Sequence, residues 1–285
     1  MSGVIIVGSG PAGISAALYT VRAGVETTVI AKGTGSLAKA ERIDNYYGAE
    51  AGISGEELHA RGLRQAERLG VRIISAEVVS VGYDGEFTVK TAQEEYRAAA
   101  VILATGSNRS TPRIQNIEKF ELKGISYCAV CDSFFYRGKD VAVLGSGDYA
   151  MHEAGVLSNV AGKVTVLTNG EETSLTSDEK ISVITKKIDC VDGGDHIECV
   201  KFTDGEQLPI SGLFIAVGVA GSTSLARKLG AEISGNKIAV KEDMSTNLPG
   251  LFAAGDCIGG LMQISKSVAD GAIAATSAIK FLKSK

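Results

Sequence analysis

Two apolar patterns alternate along this chain. Short uninterrupted apolar runs are typical of strands buried in a parallel sheet, whereas apolar residues repeated every three or four positions are typical of helices. The runs lie at residues 4–7, 101–104, 141–144, 164–167 and 251–254. After the first run, Ile14, Ala17, Leu18 and Val21 repeat at one-face helical spacing. The alternation predicts an α/β fold with parallel sheets.

The first strand and helix enclose the glycine-rich stretch GSGPAG at residues 8–13. Gly24 is a helix-ending residue, and an apolar strand at residues 27–30 completes a β-α-β unit. In that context the glycines let the backbone approach a pyrophosphate, and the helix N-terminus supplies N–H groups and partial positive charge. The stretch therefore predicts a dinucleotide site in preference to a glycine-rich turn without a ligand.

A second unit of the same kind begins in the middle of the chain. GSGDYA at residues 145–150 follows an apolar run and opens a helical repeat that leads into the strand at 164–167. Near the C-terminus, the apolar run at 251–254 is followed by Gly255 and Asp256 and then by a long helical stretch. Ligands bind at the carboxyl ends of strands in open α/β sheets, which makes Asp256 a candidate site residue. Two units predict two Rossmann-like lobes.

The first lobe is predicted to be discontinuous. Short strands at residues 72–75, 78–81 and 87–90 indicate a small β-meander inserted in it. Crossings between the lobes are expected at Thr111-Pro112 and at residues 244–247. The predicted domains are a first cofactor-binding part at 1–111, a second lobe at 112–243 and the remainder of the first lobe at 244–285.

Charge and composition exclude some classes of binding partner. A net charge of -4 and a pI near 5.6 argue against a nucleic-acid partner. The first residues show no signal-peptide pattern, and no stretch reaches the roughly 18 apolar residues of a membrane span. We therefore expect no membrane partner and a cytoplasmic location. In that reducing compartment the five cysteines are poor candidates for structural disulfides.

Two of the cysteines, Cys128 and Cys131, form a CxxC pair followed directly by Asp132. Such a pair is either redox-active or part of a metal site. A zinc site needs four ligands, and Cys190 and Cys199 do not complete a convincing set. The pair is therefore interpreted as a disulfide that exchanges with other disulfides, with no metal. Cys257 is interpreted as a small packing residue.

Taken in chain order, these motifs resemble the low-molecular-weight thioredoxin reductase family of flavoproteins. The matching stretches are GSGPAG at 8–13, DNYYG at 44–48, ISGEEL at 53–58, ATG at 104–106, CAVCD at 128–132, GSGDYA at 145–150 and AGD at 254–256. The resemblance covers nearly the whole chain. It implies that the first lobe binds FAD, that the second lobe corresponds to the NADPH lobe and carries the CxxC, and that the protein is a homodimer.

The same resemblance implies roles for individual residues. The residues implied to contact FAD are Gly8, Gly10, Pro11, Ala12, Gly13, Lys32, Asn45, Val79, Thr105, Gly106, Gly255, Asp256, Gln263 and Ile264. Lys32 follows Ala31 where the family often has an acid, and Met262 replaces a usual arginine. Cys131 is implied to face the flavin with Cys128 as its partner. Asp132 passes a proton during exchange or, alternatively, caps the following segment.

The electron source is decided by the segment KVTVLTNGEET at residues 163–173. The family's NADPH-dependent members carry a His-Arg-Arg run there for the 2'-phosphate, whereas this chain has Thr168, Asn169 and Gly170 followed by Glu171 and Glu172. The segment from 170 to 210 also has room for only about one hairpin. An alternative is that lysines replace the arginines; the candidates are Lys180, Lys186 and Lys187.

The sequence therefore resembles the NADPH-independent branch, in which ferredoxin reduces the flavin and thioredoxin receives the electrons. Two alternatives stay open at this point. One is an NADPH-dependent thioredoxin reductase with an unfamiliar phosphate pocket. The other is a non-enzymatic protein in which FAD and the CxxC only switch conformation.

Overall fold

The computed structural model describes residues 3–49, 52–106, 114–121, 123–177, 179–218 and 221–284. The described helices are α1 (Pro11–Arg22), α2 (Gly55–Arg68), α3 (Ala129–Asp132), α4 (Asp148–Leu157), α5 (Ser222–Lys228) and α6 (Ile264–Lys283). The described strands are β1 (Val4–Val7), β2 (Thr27–Ala31), β3 (Arg72–Ser75), β4 (Val78–Tyr83), β5 (Phe87–Thr91), β6 (Glu95–Ala98), β7 (Ala100–Leu103), β8 (Ile125–Ser126), β9 (Asp140–Leu144), β10 (Lys163–Leu167), β11 (Ile181–Ile184), β12 (Ile188–Asp192), β13 (Cys199–Phe202), β14 (Gln207–Pro209), β15 (Gly212–Ile215), β16 (Ile233–Ser234), β17 (Lys237–Ile238) and β18 (Leu251–Ala253). None of these helices combines the length and apolar character needed to cross a bilayer.

The chain forms two compact units. Unit 1 comprises Met1–Asn108 and Gly221–Lys285, and unit 2 comprises Arg109–Ala220. The first crossing predicted from the sequence, at Thr111-Pro112, lies outside the described residues.

Unit 1 is built on a five-stranded parallel sheet in the order β18-β7-β1-β2-β3. The central strand β1 is buried along its whole length, which explains its unbroken apolar sequence. Helices α1 and α6 pack against each other, and a Cβ atom at Gly271 would lie 2.1 Å from the Ala12 carbonyl oxygen. A side chain at that position is therefore excluded. Strands β4, β5 and β6 form an antiparallel meander, as predicted in part. The prediction counted residues 72–75 among its strands, but they form β3, which pairs with β2 in the parallel sheet, and the third meander strand is β6.

The segment from Gly221 to residue 243 belongs to unit 1, whereas the sequence prediction placed it in the second lobe. Helix α5 packs against β4, and the β17 residue Lys237 donates to the Asp256 carbonyl oxygen at 2.7 Å. The predicted crossing at 244–247 instead lies within unit 1, where Ser245 bridges Phe252 in antiparallel fashion. Short strands such as β16 and β17 give too weak a periodicity to reveal this from the sequence.

Unit 2 is built on a second parallel sheet, in the order β11-β10-β9-β15-β8. Its helix α4 packs against β9 and β10. The segment from 170 to 210 holds more structure than the single hairpin expected. It forms the edge strand β11 and the antiparallel sheet β12-β13-β14. Two Rossmann-like sheets are thus present, as the glycine motifs predicted.

Candidate functional site

The first glycine-rich loop joins β1 to α1, and its glycines fall into two kinds. A Cβ atom at Gly8 would lie 2.4 Å from the Ala104 carbonyl oxygen, and one at Gly13 would lie 1.8 Å from the Gly8 carbonyl oxygen. These glycines allow close packing of the loop. Among the described residues, no atom lies within 4 Å of the position that a Cβ at Gly10 would take. Gly10 therefore leaves the backbone open to approach by a ligand.

Gly10 is also the N-cap of α1, with Pro11 at the first helical position. Proline is favoured there because its missing N–H would have no partner inside the helix. No side chain caps this end of the helix. Its first N–H groups and the positive end of its dipole are therefore suited to a pyrophosphate.

A residue of this loop is also hydrogen-bonded to a histidine that no sequence motif had linked to the site. Ser9 Oγ and His59 Nε2, on α2, lie 3.0 Å apart in a hydrogen bond. Burial lowers the pKa of His59, and its contact with Ser9 acts in the opposite direction. Helix α2 is fixed by Ser54, whose hydroxyl accepts from the Glu57 N–H at 3.1 Å.

At the end of β2, Lys32 pairs with Glu77, with Nζ and Oε2 2.9 Å apart. The Glu77 side chain is only 2% exposed. Nearby, the β4–β5 ladder pairs Val78 with Thr91 and Ser80 with Lys90, so its register skips Val79. A residue skipped by such a bulge has backbone groups outside the ladder. Val79, implied by the resemblance to contact adenine, thus has a backbone suited to hydrogen bonding.

At the opposite end of the predicted FAD site, Asn45 Nδ2 donates to Gln263 Oε1 at 2.9 Å. Both side chains are exposed. Gln263 is the N-cap of α6 and Ile264 is its first residue, so the long helix begins where the sequence placed it. Ile264 packs against the small cluster formed by Leu37, Ile43 and Ile53.

Thr105 and Gly106 follow strand β7. The Thr105 hydroxyl accepts from the Ser222 N–H at 2.7 Å, and the two hydroxyl oxygens lie 2.8 Å apart. The Thr105 N–H donates to the same Ser222 hydroxyl at 3.0 Å. Ser222 was not singled out from the sequence. Gly106 has a φ of +75°, and no described atom lies near the position its Cβ would take.

Gly255 and Asp256 follow β18. Gly255 has φ 83° and ψ -152°, a conformation that is essentially restricted to glycine. Its N–H donates to Asp270 Oδ2 at 3.1 Å, and Asp270 in turn pairs with Lys266 at 2.7 Å. Among the described residues, the Asp256 side chain accepts a long contact from Ser267 Oγ, at 3.5 Å, and no shorter one. Its carboxyl group is therefore suited to a further hydrogen-bond donor.

These observations fit FAD in unit 1. Gly10 and the start of α1 suit the pyrophosphate, the skipped backbone of Val79 suits an adenine edge, and Asn45 with Gln263 provides amide groups at the other end. The roles of the individual residues stay predictions.

The CxxC of unit 2 forms a disulfide between Cys128 and Cys131, with Cα atoms 5.3 Å apart. Cys128 is the N-cap of the short helix α3 and is buried, whereas Cys131 is exposed. The Cys131 N–H lies 3.2 Å from Cys128 Sγ. One sulfur of the pair is therefore accessible to a reaction partner.

Asp132 lies in the same turn and has two described contacts. Its backbone N–H donates to the Cys128 carbonyl oxygen at 3.1 Å, and its Oδ2 accepts from Ser126 Oγ at 2.6 Å. Asp132 does occupy the N-cap position of the 3₁₀ turn at Ser133–Tyr136, the alternative role considered for it, but its side chain makes no cap hydrogen bond there. Burial and the Asp132 charge both raise the pKa of Tyr136.

A buried carboxyl group supports the same turn from α4. Glu153 Oε2 accepts from the Ala129 N–H, the first N–H of α3, at 2.9 Å. Glu153 is 2% exposed. An acid at a helix N-terminus is electrostatically favourable. This support could not be predicted, because no sequence motif connects residue 153 with the CxxC.

In the second glycine-rich loop, between β9 and α4, Ser146 is hydrogen-bonded to residues of the segment that follows β10. Ser146 Oγ donates to Glu171 Oε2 at 2.5 Å, and Thr173 Oγ1 donates to the Ser146 carbonyl oxygen at 2.7 Å. Glu171 is fixed by a turn in which its N–H donates to the Thr168 carbonyl oxygen, and Thr168 Oγ1 donates to the Glu171 carbonyl oxygen. A carboxylate thus lies on the loop that would hold a coenzyme pyrophosphate.

The residues at the end of β10 are uncharged. Thr168 is buried, and Asn169 Oδ1 accepts from the Ile188 N–H at 2.8 Å. Lys186, one of the possible replacements for the missing arginines, is paired with Asp204 at 2.7 Å and with Glu206 at 2.6 Å. Exposed Lys187, another of them, lies beside this turn, since a Cβ atom at Gly170 would lie 3.6 Å from the Lys187 Cβ.

The remaining cysteines form no metal site. Within the described part of the chain, no group of three or more His, Cys, Asp or Glu side chains could hold a metal ion. Cys190 and Cys199 lie on β12 and β13, and burial raises the pKa of both thiols. Cys257 is buried beside the Leu103 and Ala254 carbonyl oxygens, and burial raises its thiol pKa to about 11.

Two Rossmann-like sheets, one with an open glycine loop and the other with a CxxC disulfide, define a dinucleotide-dependent disulfide oxidoreductase. The sequence pattern of the family described as pyridine nucleotide-disulphide oxidoreductase matches residues 2–271. The chain belongs to this family. FAD is accordingly its cofactor.

Individual relatives are thioredoxin reductases. The chain is 33% identical to the thioredoxin reductase of Listeria innocua, over 98% of this chain and 93% of that protein. Among solved structures, the atypical thioredoxin reductase TRi from Desulfovibrio vulgaris Hildenborough has a TM-score of 0.93 and 41% identity, covering 100% of this chain and 99% of that chain. A ferredoxin-flavin thioredoxin reductase from Clostridium acetobutylicum has a TM-score of 0.76 and 29% identity, with coverages of 100% and 99%. The resemblance noted in the sequence is confirmed.

Proposed function

We propose that this chain is a thioredoxin reductase that draws electrons from a one-electron donor such as ferredoxin instead of NADPH. The observation that carries the choice of donor is the hydrogen bond from Ser146 to Glu171 on the second glycine-rich loop, at 2.5 Å. The relatives that share nearly the full length of this chain support the thioredoxin substrate.

Electrostatics explains why this contact disfavours NADPH. A carboxylate about 4 Å from a phosphate charge repels it by about 4 kcal/mol at an effective dielectric constant near 20. The same carboxylate also uses the Ser146 hydroxyl, so the loop loses a donor. Exposed Glu172 adds a second negative charge next in sequence. NADPH binding would have to overcome both effects without an arginine at the strand end.

FAD, when bound, supplies the ability to take up electrons singly and to pass them on in pairs. The chain's residues have separate tasks. Gly10 and the α1 N-terminus hold the pyrophosphate, and Asn45 with Gln263 orients the other end. Cys128 and Cys131 cycle between disulfide and dithiol, and Asp132 carries a proton during exchange with thioredoxin.

Ferredoxin is a sufficient reductant for this reaction. Plant-type ferredoxins have potentials near roughly -400 mV, and thioredoxin has a potential near roughly -270 mV. The difference of about 130 mV corresponds to about 6 kcal/mol for a two-electron transfer, at about 1.4 kcal/mol per 30 mV. The Clostridium acetobutylicum relative is a ferredoxin-flavin thioredoxin reductase, so this donor occurs with this fold. That relative supports the donor without deciding it.

The test is an anaerobic comparison of reductants on the oxidised flavoprotein. NADPH, NADH and reduced ferredoxin are each mixed with it, and the flavin absorbance is followed. We expect ferredoxin alone to bleach the flavin within seconds. Rapid bleaching by NADPH would overturn the proposal in favour of an NADPH-dependent thioredoxin reductase with an atypical phosphate pocket.

A second measurement separates an enzyme from a redox-responsive binding protein. The protein is mixed with a tenfold excess of thioredoxin disulfide and with reduced ferredoxin at about two equivalents or more per disulfide, and free thiols are counted against a control without the protein. An enzyme converts the whole excess, whereas a protein that only switches conformation reduces no more thioredoxin than its own reduced flavin and dithiol can. Homodimerisation stays a prediction of the resemblance, and a cytoplasmic location stays a prediction from the sequence pattern.

A further inference from the structure

Ser126 lies beside the turn that carries the disulfide of Cys128 and Cys131 and the carboxyl group of Asp132. It is the last residue of the short strand β8 and is 4% exposed. Its hydroxyl oxygen accepts from the Cys128 N–H at 3.2 Å, and its hydroxyl proton is donated to Asp132 Oδ2 at 2.6 Å. One side chain therefore contacts both the backbone of a redox cysteine and the carboxyl group that follows the pair.

The contacts close into a ring. The Asp132 N–H donates to the Cys128 carbonyl oxygen at 3.1 Å, so backbone and side chain tie Asp132 to Cys128 from two directions. A hydroxyl has only one proton to donate. Because that proton goes to Oδ2, this oxygen is anchored, and the other carboxyl oxygen is left for exchange with a thiol.

We propose that Ser126 is a positioning residue that holds Asp132 for proton transfer during thiol-disulfide exchange. This inference rests on the proposed role of Asp132. In the exchange, the two thiols of Cys128 and Cys131 become a disulfide and the thioredoxin disulfide becomes two thiols. Two S–H bonds break on the enzyme and two form on thioredoxin. Asp132 receives a proton from an enzyme thiol and delivers it to a leaving thioredoxin sulfur.

The variants for the test are Ser126→Ala, Ser126→Thr, Asp132→Asn and the double variant Ser126→Ala with Asp132→Asn. Ser133→Ala is the control, because it removes a hydroxyl from the residue next to Asp132. Each holoenzyme is reduced with dithionite, and the single-turnover rate of thioredoxin reduction is measured. Dithionite makes the result independent of the natural donor. Flavin content and far-ultraviolet circular dichroism verify folding.

We expect Ser126→Ala to slow the exchange about tenfold, a fraction of the 10²- to 10⁴-fold that a positioned acid or base contributes. Threonine, which keeps the hydroxyl, should restore most of the rate. The decisive result is the double variant, which should be no slower than Asp132→Asn alone, because the serine acts through the acid. A purely structural serine would instead slow the reaction further in both backgrounds.

Two outcomes overturn the inference while leaving the proposed function intact. One is a wild-type rate for Ser126→Ala, and the other is a slowing in the double variant that equals the product of the two single effects. If the wild-type dithiol itself fails to reduce thioredoxin, the proposed function fails instead. The two failures are thus distinguishable in one series.

Discussion

The Asn45 side-chain amide donates to Gln263 Oε1 at 2.9 Å, although 218 residues separate the two in sequence. The contact joins the loop after β2 to the N-cap of α6, both within unit 1. The resemblance implied both residues as neighbours of the flavin. Their pairing shows that the fold brings these two candidates together.

The pairing predicts a selective effect on flavin retention. Asn45→Ala removes the donor to Gln263, so the N-cap side chain loses its fixed orientation, and we expect FAD to bind about tenfold more weakly, equivalent to about 1.4 kcal/mol. The measurement is the recovery of fluorescence as FAD is released on dilution. Asn236→Ala, in the turn between β16 and β17, is the matched control and should bind FAD as the wild type does. Equal affinity in both variants would contradict a flavin-orienting role for Asn45.

The two kinds of glycine in the first loop predict opposite effects of alanine. Gly13→Ala places a Cβ 1.8 Å from the Gly8 carbonyl oxygen, so we expect a loss of about 3 kcal/mol in the free energy of unfolding. Gly10 has an extended backbone with open space, so Gly10→Ala should change that free energy by less than about 1 kcal/mol. It should nevertheless weaken FAD binding about tenfold, because the pyrophosphate approaches the backbone there.

Urea unfolding and FAD titration of both variants test this contrast. A Gly10→Ala protein that unfolds easily but binds FAD normally would contradict the assignment. So would a Gly13→Ala protein as stable as the wild type, since the loop would then have to move away from its described position.

The glycine loops, the strands after them and the CxxC could be predicted because each is a local pattern. A glycine motif between an apolar strand and a helix requires only neighbouring residues to be recognised. The supports of these motifs could not be predicted in the same way. Ser126, Glu153 and Ser222 act through side-chain hydrogen bonds, and serine and glutamate are common residues whose partners depend on tertiary packing.

The choice of electron donor could likewise be predicted only in part from the sequence. The sequence revealed that Glu171 stands near the expected phosphate position, but the charge argument needs a location in space. The turn that directs Glu171 onto Ser146 depends on the Thr168 hydroxyl and on the conformation of Asn169, which has φ +54°. The placement of residues 221–243 was likewise decided by packing of α5 on β4, which leaves no periodic signal.

Removing either redox sulfur should separate catalysis from cofactor binding. Cys128→Ser or Cys131→Ser leaves no partner for a disulfide, so we expect thioredoxin reduction to fall to background while the bound flavin stays at the wild-type ratio. Absorbance spectra and a thiol assay measure both. The matched control is Cys199→Ser, on the β12-β13-β14 sheet, which should retain full turnover. Loss of flavin in the CxxC variants would indicate a structural pair.

Cys257 predicts a pH dependence of stability. Its folded-state pKa is about 11, raised mainly by burial from an ordinary value of 9.0. The folded state holds the Cys257 proton more tightly than the unfolded state does. The thiol's contribution to the free energy of unfolding is therefore fully present below pH 9 and is lost as the pH rises toward 11. The loss amounts to about 2 to 3 kcal/mol.

The measurement compares the free energies of unfolding of wild type and Cys257→Ala in urea at pH 8 and pH 10.5. At pH 8 the wild type should be more stable, because alanine leaves a small cavity. At pH 10.5 its advantage should shrink by about 2 kcal/mol, since only the wild type has this thiol to titrate. A difference that stays constant across the range would mean that the Cys257 thiol is not held in the protonated form by burial.

Glu171 offers a gain of binding that tests the donor argument directly. Glu171→Arg removes the carboxylate bonded to Ser146 and places a guanidinium beside the loop, so we expect NADP⁺ to bind at least about tenfold more tightly than to the wild type, or about 1.4 kcal/mol. Calorimetric titration at low ionic strength measures this, because salt screens the effect. Glu172→Arg makes the same change in charge at the exposed neighbouring residue and should gain less. If both variants gain equally, net charge and not the covered loop governs coenzyme binding, and if the wild type already binds NADP⁺ at micromolar concentration, the loop is not closed to the coenzyme at all.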